Sequence, residues 1–88
     1  MLFMDIWTWE PDKRDEMERR ASEWEFPEGI KEHGYWLDLT GRHAFIVYEV
    51  EDPKVLLGAN HCWTDIAKVK SFPVMDMKDV MELMQTKK

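Results

Sequence analysis

Residues 2–9 read Leu2-Phe3-Met4-Asp5-Ile6-Trp7-Thr8-Trp9, and Glu10-Pro11 closes the stretch. As a strand it places Leu2, Met4, Ile6 and Thr8 on one face and Phe3, Asp5, Trp7 and Trp9 on the other. Both sets are too apolar to be left in water. An antiparallel sheet in a lone small domain normally shows one oily and one polar face, so a strand that is oily on both needs a cover on each side. The expectation is helices over one face and a second copy of the chain over the other.

Size points the same way. A chain of 88 residues is expected to form one domain over residues 1–88, burying only roughly 64% of the surface its unfolded form exposes. With 5 Trp, 4 Phe and 7 Met it carries more large apolar volume than so small a body easily hides, which favours a homodimer. The 12 basic against 18 acidic residues give a net charge of -6, which argues against nucleic acid or an anionic membrane as partner. The opening MLFMDIW lacks a basic leader and is interrupted by Asp5, so it does not read as a signal peptide, and no apolar run approaches spanning length. Cys62 is the single cysteine; with no internal disulfide to form, it fits a reducing, cytoplasmic setting.

Working outward, Glu10-Pro11 favours a helix start, and Met17, Ala21 and Trp24 keep one narrow apolar stripe through about Trp24. Asp15 with Arg19 and Glu16 with Arg20 are spaced as ion pairs on its wet face. Phe26-Pro27-Glu28-Gly29 turns the chain. Two strands follow, Ile30 to Leu39 and Arg42 to Val50, joined at Thr40-Gly41. A two-residue loop there sets Trp36 opposite Phe45, Leu37 opposite Ala44 and Asp38 opposite His43. Tyr35, Leu37, Leu39, Ala44, Ile46, Tyr48 and Val50 then form the oilier face, expected under the helices. Asp52-Pro53 opens a second helix to about His61, a last strand covers about Ile66 to Phe72, and a terminal helix begins near Met77. Its Met77, Val80, Met81 and Met84 form a stripe expected to pack in the core or against a partner. The order βαββαβ plus a helix is α+β and ferredoxin-like, with a four-stranded antiparallel sheet. Asp5, Trp7, Trp36, Phe45 and Glu49 are expected to share the face turned away from the helices.

The opening FMDIWTWEP, Pro27-Glu28-Gly29 ahead of Gly34-Tyr35-Trp36, Glu49-Val50-Glu51-Asp52-Pro53, and Trp63-Thr64-Asp65-Ile66 followed by Phe72-Pro73-Val74-Met75 together resemble a family of short prokaryotic proteins catalogued as a domain of unknown function. The resemblance spans nearly the whole chain. It implies the dimeric α/β-barrel arrangement, in which two ferredoxin-like sheets pack face to face around a lumen. It brings no catalytic residues with it, so chemistry must come from the residues themselves.

Two carboxylates, Asp5 and Glu49, are expected on adjacent central strands and flanked by Trp7, Trp36 and Phe45. Enclosed by aromatics they would not both ionise easily, and one would serve as general acid or base toward a flat or apolar ligand. The plainer reading pairs each with a basic side chain such as Lys68 or Lys70, or leaves it at the wet rim of the dimer interface. Asp38 opposite His43 is the second candidate, an aspartate orienting an imidazole for acid–base work; a cross-strand surface ion pair gives the same pattern. His61-Cys62 carries no metal-ligand spacing, and His33, His43 and His61 fall on three elements, so no metal site is expected. Cys62 beside Trp63 reads as a small buried apolar residue. No cofactor motif is legible, neither a phosphate loop nor a hydrolase triad. Two functions follow: a homodimer that binds, and acts on, a small organic molecule in the lumen between its sheets, or a non-catalytic dimeric interaction module whose aromatics fill that lumen.

Overall fold

In the computed structural model, which describes residues 1–86, strand β1 (Leu2–Thr8) occupies the middle of a four-stranded sheet. A single 3-10 turn at Pro11–Lys13 leads into helix α1 (Arg14–Glu23). Strands β2 (Ile30–Leu37) and β3 (His43–Val50) form a hairpin, helix α2 (Pro53–His61) crosses back, β4 (Lys68–Pro73) completes the sheet, and α3 (Met77–Thr86) follows. The strand order β2-β3-β1-β4 with every pair antiparallel is that of a ferredoxin-like fold. No helix among the described residues is long and apolar enough to cross a membrane.

Local sequence explains the boundaries. Asp52 caps α2 by accepting the Lys54 N–H at 2.9 Å, and Pro53 takes the first helical position, where its missing N–H costs nothing. Asp76 accepts the Lys78 N–H at 2.7 Å and starts α3 in the same way. The β2–β3 register agrees with the expected pairing of Trp36 with Phe45 and Leu37 with Ala44. The connection is longer than two residues, however. Asp38 still bonds His43 through its backbone, Gly41 turns back on Asp38 with φ +75°, and Leu39 is thrown fully into solvent. Only glycine takes that left-handed conformation without steric cost. A bulge between Glu32 and Gly34 then shifts the register by one for Ile30 to Glu32.

The third pairing decides the architecture. Trp7 lies across from Ala44, Asp5 from Ile46 and Phe3 from Tyr48. Residues directly opposite in a ladder share a face, so Asp5 and Trp7 lie beneath the helices with Ala44, Ile46 and Tyr48. Ile6, Met4 and Thr8 turn to the open side with Phe45, Val47 and His43. The expected grouping of Asp5 and Trp7 with Trp36, Phe45 and Glu49 is therefore wrong by one residue of register, and a one-residue slip inverts the faces of the whole strand.

The core is small and aromatic: Trp7, Trp9, Met17, Ala44, Trp63 and Ala67, with Trp24, Ile46 and Val69 against it. Trp9 Nε1 donates to the Gly41 carbonyl at 3.0 Å and Arg42 Nε donates to the Trp9 carbonyl at 2.9 Å, which ties the hairpin turn to the end of β1. Two other expectations change. Cys62 is exposed rather than buried, and the α3 methionines do not enter the core, since Met77, Met81 and Met84 are all more than half exposed.

Candidate functional site

Just past the C-terminal ends of α1 and α2, Trp24 and Trp63 pack edge to face with ring centroids 5.4 Å apart. Outside that contact Arg20 makes a two-pronged pair with Asp65 at 2.9 and 2.9 Å and donates to the Cys62 carbonyl at 3.1 Å. Of the helix-1 charges, Glu16 pairs with Arg20 as the spacing predicts, while Arg19 reaches Glu16 and Glu23 rather than Asp15. Between this roof and the sheet lies a cavity of about 390 Å³. Trp7, Trp9, Trp24, Phe26, Tyr35, Tyr48 and Trp63 line it, with Met17, Ala21, Leu56 and Ala59 from the helices and Asp5 at the sheet.

Asp5 is the one buried charged residue among those described, 2% exposed. Its Oδ1 accepts from Ser71 Oγ at 2.7 Å and from Tyr48 Oη at 2.9 Å, and its Oδ2 accepts from Trp7 Nε1 at 3.3 Å. Register supplies two of these donors: Ser71 stands directly opposite on β4, and Trp7 is the next residue on the same face of β1. Burial pushes the Asp5 carboxyl above the usual aspartate range, and the bonds from Ser71, Tyr48 and Trp7 offset only part of that. Burial also raises the Tyr48 phenol, and its bond to Asp5 raises it further. Burial alone raises Tyr35.

The other residues singled out in the sequence lie elsewhere. Glu49 faces the open side of β3, where His33 Nε2 approaches it at 3.4 Å. Asp5 and Glu49 thus occupy opposite faces and do not form a carboxylate pair. Among the described residues Asp5 has no lysine partner either, because Lys68 and Lys70 alternate to the open face of β4. Trp36, 55% exposed, folds its indole over Gly34: a Cβ there would sit 2.0 Å from the ring. Phe45 lies on the same open face, stacked with His43 at a centroid distance of 6.4 Å.

Asp38 and His43 do come together, with Nδ1 and Oδ2 2.6 Å apart. The other Asp38 oxygen accepts from the Thr40 N–H and hydroxyl and from the Arg42 N–H. Those donors, Thr40 foremost, then Arg42 and His43, hold the Asp38 carboxyl well below its usual range. The pair braces the hairpin at the edge of the open face, and Asp38 also lines an open groove beside α1 with Arg14, Asp15, Glu18 and Thr40.

Tyr48, Trp24, Trp63 and Tyr35 complete the chamber and Ser71 bonds Asp5 from β4; none of the five is among the expected site residues. Tyr48 was within reach of sequence: it shares the oily parity of Ala44 and Ile46, and placing Asp5 on that same face brings the two together. Ser71 carried no signal, because its position depends on how β4 aligns with β1. Comparison with curated proteins and with solved structures gives no significant match. A family model spans residues 1–88, and the chain belongs to the family described as a domain of unknown function, DUF3303.

Proposed function

We propose that this protein binds a small, largely apolar organic molecule in the chamber between its own sheet and helices, with Asp5 as the polar anchor at the floor. The observation that carries the reading is a nearly water-free carboxylate set into a 390 Å³ aromatic cavity. Sealed and empty, an apolar void of that size would cost about 9 kcal/mol at roughly 24 cal/mol per Å³, as much as the whole stability of many domains. A filled or solvent-open chamber avoids that cost, and its dimensions fall in the range of ligand pockets. The site is thus moved from the lumen between two sheets to the inside of one chain. Asp5 is the group placed to exchange a proton with an occupant, so acid–base chemistry on the ligand runs through this residue.

The reading includes a homodimer joined through the open face. Met4, Ile6, Phe45 and Val47 form its centre, with Trp36 toward one flank and Phe72 toward the other. The cross-strand rows are self-complementary. One runs Lys70, Ile6, Phe45, Trp36, and the next runs Lys68, Thr8, His43, ending beside Asp38. A two-fold axis along the strands reverses each row onto itself, bringing Lys70 over the partner's indole and Lys68 toward the partner's aspartate.

Four of the five tryptophans line the chamber, so intrinsic fluorescence reports on it. The neutral probe N-phenyl-1-naphthylamine is expected to bind saturably, quench that fluorescence and raise Tm. Ala59→Trp, which fills the chamber from α2, is expected to weaken binding about tenfold or more. Absence of saturable binding to the native chain, or undiminished binding to a folded Ala59→Trp variant, overturns the proposal.

A further inference from the structure

Resting on the chamber proposed above, we infer that its occupant is an organic cation, an amine carried on a ring-sized apolar body with its ammonium directed to Asp5. The charges around the cavity are all of one sign. Asp5 and Glu18 line it, and no lysine, arginine or histidine is among the lining residues. An anionic ligand meets repulsion there and finds no counter-charge. Seven aromatic side chains form the wall, and the negative face of an aromatic ring attracts a cation most strongly where water is excluded.

The hydrogen bonds at the floor lead to the same class. An ionised carboxylate offers about four acceptor sites. Oδ1 of Asp5 already accepts two bonds, whereas Oδ2 accepts only the long 3.3 Å bond from Trp7. Spare acceptor capacity therefore sits on Oδ2. Trp7 Nε1 can only donate, so it favours an acceptor oxygen there, which suits an N–H donor from the ligand and not a carbonyl. The described residues supply no cation to this carboxylate, while Glu18 already has Arg14 at 3.7 Å. A bound ammonium supplies the missing charge to Asp5.

The test compares three probes of one shape, 2-naphthylmethylammonium, 2-naphthalenemethanol and 2-naphthoate, by titration calorimetry on the full chain. The ammonium is expected to bind about tenfold tighter than the alcohol, and the naphthoate most weakly. Asp5→Asn is expected to bring ammonium and alcohol to parity while shifting the alcohol by less than about threefold. The other titratable groups facing the cavity are Glu18, beside Arg14, and the phenols of Tyr35 and Tyr48, which burial raises, so that the phenols stay neutral across the acidic range. Acidification of the native chain and of Glu18→Gln alike is expected to remove the ammonium preference as Asp5 protonates, a readout that holds even where Asp5→Asn fails to fold. An alcohol that binds as tightly as the ammonium, or a preference indifferent to pH or retained in folded Asp5→Asn, overturns the assignment of a cation and leaves the chamber standing. Failure of all three probes overturns the chamber reading and this inference with it.

Discussion

On the helix side of the sheet Trp7 and Tyr48 are almost wholly buried, whereas on the opposite side Trp36 and Phe72 stand about half exposed. The same strands build both faces from equally apolar residues. The difference lies in what each face can shelter. Under α1 and α2 an aspartate survives out of water because Ser71, Tyr48 and Trp7 all donate to it, and an enclosed carboxylate is chemically unusual. On the open side the acids Asp38 and Glu49 sit beside histidines at the margins, as surface acids ordinarily do. Large aromatics are common to both faces. Enclosure separates the candidate site from the candidate interface.

The sharpest way to break this contrast is to truncate one tryptophan on each face. Trp7→Ala is expected to cost about 3–5 kcal/mol, as loss of a large core aromatic does, whereas Trp36→Ala in dilute monomer costs less than about 1 kcal/mol because half its surface is already wet. Urea unfolding of the two variants measures both. Equal costs would show that the open face is as structural as the covered one.

A second comparison places a lysine on each side of the same part of the sheet. Ile46→Lys puts an unpaired charge beneath the helices and is expected to abolish cooperative folding, through a desolvation cost of several kcal/mol. Phe45→Lys, one residue earlier on the open face, is expected to leave far-UV circular dichroism intact and to weaken the proposed homodimer about 100-fold, roughly 3 kcal/mol. Sedimentation across a concentration series reads the second effect. A native chain that is monomeric at high concentration removes the interface.

Much of this arrangement is legible in the residues. The order of strands and helices follows from Pro11, from Asp52-Pro53 and from the alternation in residues 30–50, each a short-range signal with a steric or hydrogen-bonding cause. The β2–β3 register follows from the hairpin, because the turn fixes it. The register of β1 on β3 does not, since a helix and a whole strand separate them in sequence and nothing local specifies the offset. That single offset assigns Asp5 to the chamber or to the open face, so the fold is legible in the residues where the grouping of Asp5 with Glu49 is not. The bulge at His33 and the extended hairpin loop are of the same kind, set by how the strands meet. The α3 methionines were patterned for burial, yet amphipathicity alone cannot say which surface covers them.

Removing the carboxylate without removing its donors probes the covered face further. Asp5→Ala leaves the Tyr48 hydroxyl and the Trp7 N–H without a partner in a dry site, and about 1–3 kcal/mol of lost stability is expected for a buried group so stranded. Tyr48→Phe removes one donor and one potential orphan together, so a smaller loss is expected. Chemical denaturation of both variants orders them, and a Tyr48→Phe loss that exceeds the Asp5→Ala loss would contradict a network centred on Asp5.

The smallest effect is a difference in sign between two aspartates. Asp5, raised above the ordinary value of 3.8 by burial, is harder to ionise in the folded chain than in the unfolded one. Its contribution is therefore fully present below 3.8 and is lost as pH rises through its folded value. Asp38, lowered from 3.8 by Thr40, Arg42 and His43, behaves oppositely: its contribution is present above 3.8 and is lost as pH falls through its folded value. Side-chain carboxyl NMR titration should place the two on opposite sides of an ordinary aspartate. In stability measurements, Asp5→Asn should flatten the decline on the alkaline side of 3.8, and Asp38→Asn should flatten the decline on the acid side. A lowered Asp5 would mean that its three donors outweigh burial, and the chamber floor would then be an ordinary satisfied carboxylate with no shortage of partners for a ligand to supply.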